Sequence, residues 1–251
     1  MIFDTHAHIH FDEYRDTASE VLERAKQAQV SKIICVGTSD EDSSKAIEFV
    51  KDKDECVATV GLHPHQAKLS SPALKQLAQL VNDPKVVAVG ECGLDYNYMN
   101  SPKSEQEKSL RFQIELALAH QKPLIFHVRE AFEDFFRIVD NYQNLQGVVH
   151  SFSSTPDNLH EVLARGYYVG LNGIMTFTKD AKQLAAARQV PLGRLLLETD
   201  CPFLTPVPNR GKINEPANVR AVAEFLAKLR SQPLKKLAQA TTANAAKLFS
   251  L

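Results

Sequence analysis

Short apolar runs alternate with amphipathic stretches from one end of this chain to the other, and many of the runs stop on a histidine or a carboxylate. The strand-like runs fall at 2–5, 32–36, 56–61, 86–90, 123–127, 147–150, 167–171 and 194–198. Most carry little polar alternation, which is the pattern of parallel strands covered on both faces. Eight such runs with helices between them predict an α/β fold, a single (β/α)8 TIM-type barrel with its chemistry at the C-terminal ends of the strands. An open doubly wound sheet is the alternative, but no Gly-x-Gly-x-x-Gly turn follows the first run to support a dinucleotide fold. A length of 251 residues suits one barrel, and neither a low-complexity linker nor an internal repeat divides it, so one domain over 1–251 is expected.

The helical stretches carry their own start and stop signals. Val21, Leu22, Ala25 and Ala28 make one stripe, with Glu20, Glu23, Arg24 and Lys26 off it. Ser101-Pro102, a hydroxyl cap followed by proline, opens a helix whose apolar stripe runs through Leu110, Ile114, Ala117 and Leu118. Thr155-Pro156 opens another, which Gly166 closes. Two last helices, at about 216–230 and 234–249, complete the outer layer. The richest proline and glycine region, 202–216, follows the eighth run directly and predicts a loop over the active face.

Lysine and arginine total 29 against 30 acidic residues, a net charge of −1. That argues against a strongly basic, sequence-independent coat for nucleic acid, and leaves room for an enzyme that grips one strand end with a few arginines. No segment is apolar for long enough to cross a bilayer, and the first residues lack the pattern of a secretory signal. The cysteines at 35, 56, 92 and 201 show no paired metal spacing and read as free thiols of a reducing cytoplasm. Cys92 and Cys201 follow Glu91 and Asp200, but alternation along a strand turns them away into packing. A cytoplasmic location is therefore expected, with no membrane attachment and no obligate protein partner evident.

His6-Ala-His8 places two imidazoles two apart on a strand, on the same side, which suits two bonds to one metal. Glu91, at the rim of a buried strand, must be paired or coordinate something. A salt bridge would satisfy it, and a carboxylate bridging two cations explains its position better. His127 and His150 end the fifth and sixth runs and would complete a second site. Asp200 ends the eighth, where a carboxylate can hold a metal and accept a proton from the attacking water; a helix N-cap is the competing reading. Glu198, on the same face, reads as a supporting or interior residue. His63 and His65 have three readings: contact with substrate, orientation of a ligand, or no role. Arg129, Arg210 and Lys212 are candidate phosphate seats, with solvated loop charge as the alternative. Tyr96 and Tyr98 read equally as base-stacking surfaces or as packing. The metal set is thus His6, His8, Glu91, His127, His150 and Asp200, with Glu91 and Asp200 as the catalytic carboxylates. Two divalent ions are expected, and a mixed nitrogen and oxygen set admits magnesium, manganese or zinc.

The runs Ile2-Phe-Asp-Thr-His-Ala-His8, Gly61-Leu-His-Pro-His65, Gly90-Glu-Cys-Gly-Leu-Asp-Tyr96, His150-Ser-Phe-Ser, Glu198-Thr-Asp-Cys-Pro-Phe-Leu-Thr-Pro206 and Arg210-Gly-Lys-Ile-Asn-Glu-Pro216 together resemble the TatD family of metal-dependent hydrolases, within the amidohydrolase-like barrels. The likeness covers nearly the whole chain in order. It implies a (β/α)8 barrel, a two-metal site and deoxyribonuclease activity. By matching position it implies one metal on His6, His8 and Glu91, with Asp200 nearby, and a second on Glu91, His127 and His150. The chain departs from the pattern at His10, where aspartate or asparagine is frequent, at Cys201, where alanine is common, and at Ser151, where cysteine is common. The expected function is a metal-dependent phosphodiesterase, exonucleolytic on DNA ends or single strands. A hydrolase of a small ester, lactone or amide on the same barrel is the alternative, because fold and metals do not choose the bond. A barrel that binds metal only for stability and serves as an interaction partner is a third reading, which the lack of an exposed apolar stripe disfavours.

Overall fold

A computed structural model describes residues 1–15 and 17–251. In chain order the elements are β1 Ile2–Ala7, α1 Ala18–Gln27, β2 Val30–Cys35, α2 Asp40–Val50, β3 Cys56–Val60, α3 Ser71–Leu80, β4 Val86–Asp95, α4 Lys103–Ala119, β5 Leu124–Arg129, α5 Phe132–Val139, β6 Gly147–Val149, α6 Pro156–Ala164, β7 Tyr168–Leu171, α7 Ile174–Phe177, α8 Ala181–Gln189, β8 Leu195–Leu197, α9 Val219–Leu229 and α10 Leu234–Phe249. The strands form one sheet in the order β1 to β8. Strand and helix alternate, and the sheet follows chain order, as the sequence predicts for a (β/α)8 barrel. The chain clusters into two units, Met1–Ile34 with Ser151–Leu251, and Cys35–His150.

In the first unit β7 pairs with β8 in parallel, from Val169 opposite Leu195 to Leu171 opposite Leu197. β1 lies along β8 and the segment after it. The Thr5 hydroxyl donates to Leu197 O at 3.1 Å, Asp200 N–H to His6 O at 2.8 Å and His8 N–H to Cys201 O at 2.8 Å. The backbone ladder therefore continues beyond the last residue of β8 and carries Asp200 alongside His6. Leu195, Leu196 and Leu197 are buried, as a strand covered on both faces requires. α10 packs on β1 and β8, and the Asn244 side chain donates to Leu192 O and Leu195 O. In α1 the predicted stripe holds at Val21 and Ala25, which are buried. Thr155 caps α6 as expected, its hydroxyl accepting the Asn158 N–H at 3.3 Å.

In the second unit β3, β4, β5 and β6 pair in parallel. The Phe126 and Phe135 rings meet at 5.0 Å in the core between β5 and α5. Two expectations change here. β4 continues to Asp95 rather than ending at 90, and its ladder with β5 runs from Cys92 opposite Phe126 to Asp95 opposite Arg129. Gly93 makes this possible. Its φ is 152°, and a Cβ there would lie 1.9 Å from His127 O, so only glycine lets the two strands close at this point.

The second change concerns α4. Leu110, Ile114 and Ala117 are buried as predicted, but Leu118 is 37% exposed, while Gln106 and Gln113 are fully buried. The Gln113 amide accepts from Leu62 N–H and donates to Leu62 O; the Gln106 amide accepts from Asp95 N–H and donates to Asp95 O and Ser101 O. Buried side-chain amides fully engaged in this way hold the segments leaving β3 and β4. Ser101 does not cap α4. Its hydroxyl donates to His65 O and accepts from Ala67 N–H, tying down the His63-Pro-His65 turn instead.

Candidate metal centre

In the first unit His6, at the C-terminal end of β1, converges with His8, just past β1, and Asp200, beyond β8. Both imidazoles are buried, and the Asp200 carboxylate is 16% exposed. Asp200 Oδ1 lies 3.6 Å from His6 Nε2 and 3.5 Å from His8 Nε2. Those separations are long for hydrogen bonds and close to the edge, about 3.4 Å, of a tetrahedron with ligand bonds of about 2.1 Å. Asp200 itself stands three residues past β8, not at its end, with a φ of 57°. A non-glycine residue in the left-handed region is held there by its surroundings. Here the bonds are Asp200 N–H to His6 O and Phe203 N–H to Asp200 O, and no helix begins at Asp200, so the N-cap reading falls. Below it, the buried Asp4 carboxylate accepts the Thr199 hydroxyl at 2.6 Å and the Thr199 N–H at 2.9 Å. Burial pushes Asp4 up to about 7 despite those bonds. Glu198 is buried, accepting the Ser151 N–H at 2.5 Å and the Asn172 amide at 3.4 Å. It fills the space beside Gly170, where a Cβ would come 2.2 Å from its oxygen. It is an interior brace rather than a ligand.

In the second unit the geometry centres on Glu91. Its Oε1 lies 2.7 Å from His127 Nδ1 and 2.7 Å from His150 Nε2, and those two nitrogens are 3.2 Å apart. The far nitrogen of His127, Nε2, donates to Asp95 Oδ2 at 3.1 Å. In the neutral ring that leaves a lone pair on Nδ1 aimed at a carboxylate oxygen, an arrangement that requires a positive charge between them. Burial works against protonating His127, yet its hydrogen bonds to Asp95 and Glu91 raise it to about 9. The same negative field favours a divalent cation, whose binding would release that proton. The donor atoms thus fit a metal in both units: among the described residues His6, His8 and Asp200 form one such group, and His63, Glu91 and His127 another.

His63, in that last group, stands 3.5 Å from Glu91. The His65 N–H donates to His63 Nδ1 at 3.0 Å, which leaves the ring proton on Nε2, the atom facing Glu91. Burial lowers His63 to about 3, so its ring is neutral. His65 Nε2 donates to Asp95 at 3.1 Å.

The candidate phosphate seats divide. Arg129 is exposed at the end of β5, its guanidinium 4.7 Å from the Tyr98 ring centre. Lys212 is exposed. Arg210 folds back, donating to Thr205 O at 2.8 Å and lying 3.9 Å over the Phe177 ring. Tyr98 is 58% exposed, whereas the Tyr96 hydroxyl donates to Asp134 and its ring lies under Lys103. Cys92 and Cys201 are fully buried, and burial pushes both thiols up, in keeping with packing.

Residues 3–250 match the family described as TatD related DNase. The chain belongs to the TatD family. It is 38% identical to the metal-dependent hydrolase YabD of Bacillus subtilis (strain 168), an alignment covering 100% of both chains. It is 35% identical to a protein of Cronobacter sakazakii named 3'-5' ssDNA/RNA exonuclease TatD, over 99% of this chain and 97% of the other. Its fold matches the crystal structure of the TatD homologue YjjV from Escherichia coli K12 with a TM-score of 0.94, at 31% identity, covering 100% of this chain and 98% of that one. The chain is therefore a member of a metal-dependent hydrolase family with the barrel fold that the sequence predicts.

One residue beside His127 escapes the sequence reading: Asp95. It is fully buried, and its carboxylate receives four hydrogen bonds, from His65 and His127 at Oδ2 and from the N–H groups of Asn97 and Tyr98 at Oδ1. Burial would raise it, but the bonds from His127 and Tyr98 hold it below the usual carboxylate range. A carboxylate on the far nitrogen of a ligand histidine fixes the tautomer and the ring orientation. The signal was present: once β4 continues past Gly90, Glu91 and Asp95 fall on one face by alternation. Asp95→Asn is expected to weaken divalent-metal binding about 10- to 100-fold with the fold intact, read by equilibrium metal titration against the melting temperature. Unchanged affinity would remove Asp95 from this role.

Proposed function

We propose that this TatD-family hydrolase is a phosphodiesterase that removes nucleotides from DNA ends or single strands. His6, His8 and Asp200 hold one divalent ion, and Glu91, His127 and His150 hold another. The observation that carries the reading is the meeting of two imidazole nitrogens on one oxygen of Glu91, which calls for a cation among them. When bound, a pair of divalent ions lowers the pKa of a water and stabilises charge on the phosphoryl oxygens. The chain's own residues do the rest. Asp200, reaching solvent, accepts the proton from the attacking water. His63 donates from Nε2 toward the site, and Asp95 keeps His127 in one tautomer. Arg129 and Lys212, both exposed, meet phosphates. The relative named as an ssDNA/RNA exonuclease supports this substrate class. A net charge of −1 favours a short footprint over wrapping a duplex. Four buried free cysteines agree with a reducing cytoplasm.

A hydrolase of a small ester, lactone or amide is the second reading, favoured by one observation: Arg210 is engaged with Phe177 and Thr205. Metal-depleted protein, given back magnesium, manganese or zinc in turn, separates the two on single-stranded, duplex and abasic DNA beside a small-ester panel. The nuclease reading expects single strands to be shortened from an end. It also expects Arg210→Ala to act alike on DNA and on a generic phosphodiester, since Arg210 is held by Thr205 O and the Phe177 ring. Turnover of esters alone would give the site to the second reading.

A further inference from the structure

Phe203, in the loop after β8, is 52% exposed three residues beyond Asp200. A single exposed apolar side chain is ordinary on a protein surface. What sets this one apart is its mounting. Its N–H donates to Asp200 O at 2.9 Å, and its carbonyl accepts from the Asn214 amide at 2.6 Å. Asn214, fully buried, also donates to Thr199 O at 3.0 Å, and its N–H donates to Pro202 O at 3.0 Å. The main chain is pinned on both sides of the residue, so the ring cannot sink into the core without breaking buried hydrogen bonds.

The ring's neighbour is a proposed metal ligand. Phe203 meets His8 edge-on, with centroids 6.5 Å apart and planes at 61°, while Phe11 covers a face of His8 at 4.8 Å. Phe11 thus packs the ligand ring, and Phe203 projects past it into solvent. A rigidly held phenyl beside the reacting centre offers a flat surface that every base can use, because each presents a π-face.

We propose that Phe203 is the stacking platform for the nucleobase next to the scissile phosphate, a specificity-determining residue that selects a nucleotide over a bare phosphodiester. The inference rests on the nuclease reading above and adds the base contact to it. Stacking on one aromatic discriminates little between bases, so tolerance of all four is expected.

The chain has no tryptophan, so Phe203→Trp installs a sole reporter. In the metal-loaded protein, a single-stranded oligonucleotide should quench its emission, and a strand of equal length with abasic terminal residues should not. Phe203→Ala should raise KM for the base-bearing strand about tenfold, with kcat, metal content and KM for the abasic strand unchanged. Phe203→Tyr should restore the wild-type KM. Equal KM in wild type and Phe203→Ala, an equal rise on both strands, or equal quenching by both would overturn the proposal. If the wild type turns over neither strand with any cation, the nuclease reading fails and takes the stacking role with it. Wild-type turnover with no Phe203→Ala effect removes the stacking role alone.

Discussion

Asp200→Asn and His127→Ala should each fold like the wild type and lose about 10³-fold or more in turnover. The asparagine keeps the size of Asp200 and its left-handed backbone, where asparagine is tolerated, but removes the charge that faces His6 and His8 at 3.6 and 3.5 Å. No proton acceptor then remains at that position. His127→Ala removes one of the two nitrogens that meet Glu91 at 2.7 Å. Asp95 keeps its bonds from His65, Asn97 and Tyr98, so that variant should also hold its fold. Turnover with each added cation, beside circular dichroism and a melting curve, checks both halves. Wild-type turnover in either variant with unchanged metal content would refute the ligand assignment.

Gly93→Ala should lose the fold rather than the chemistry. The new Cβ would sit 1.9 Å from His127 O, a carbonyl fixed in the β4–β5 ladder, on a backbone whose φ of 152° suits only glycine. Strain plus a main-chain clash of this kind costs about 3–5 kcal/mol, a large part of the 5–15 kcal/mol by which a domain is stable. The expected result is protein that melts far lower or precipitates on expression. Gly193→Ala is the control, because nothing lies within 4 Å of its added Cβ, and it should melt as the wild type does. Equal melting of the Gly93 and Gly193 variants would mean that β4 and β5 do not close at Gly93.

The sequence carries the positions of the strands well, because each parallel strand is buried on both faces and reads as an uninterrupted apolar run. Leu195–Leu197 and Val86–Val89 show this directly. The same rule hides the second half of β4. Gly90, Glu91 and Gly93 break the apolar pattern, and the chain stays extended there because glycine admits the close approach of β5. Asp95 was missed for that reason: its segment reads as loop. Gln106 and Gln113 were hidden differently, since polar side chains on a helix read as its wet face unless their bonds to Leu62 and Asp95 are known. Asp200 is legible as a residue, but it stands three residues past β8, where backbone hydrogen bonds to β1 continue after the leucine run ends. Arg210 shows the limit for surface charge, whose direction is set by neighbours such as Phe177 that lie far off in the chain.

The central claim is that the histidines and carboxylates at these strand ends hold a pair of divalent ions, and counting bound metal tests it most directly. Metal-depleted protein equilibrated with manganese or zinc, then analysed for metal per chain, should bind two ions, with Asp200→Asn and His127→Ala each retaining about one. Wild-type protein that binds no ion tightly, or variants that bind as many as the wild type, would contradict it.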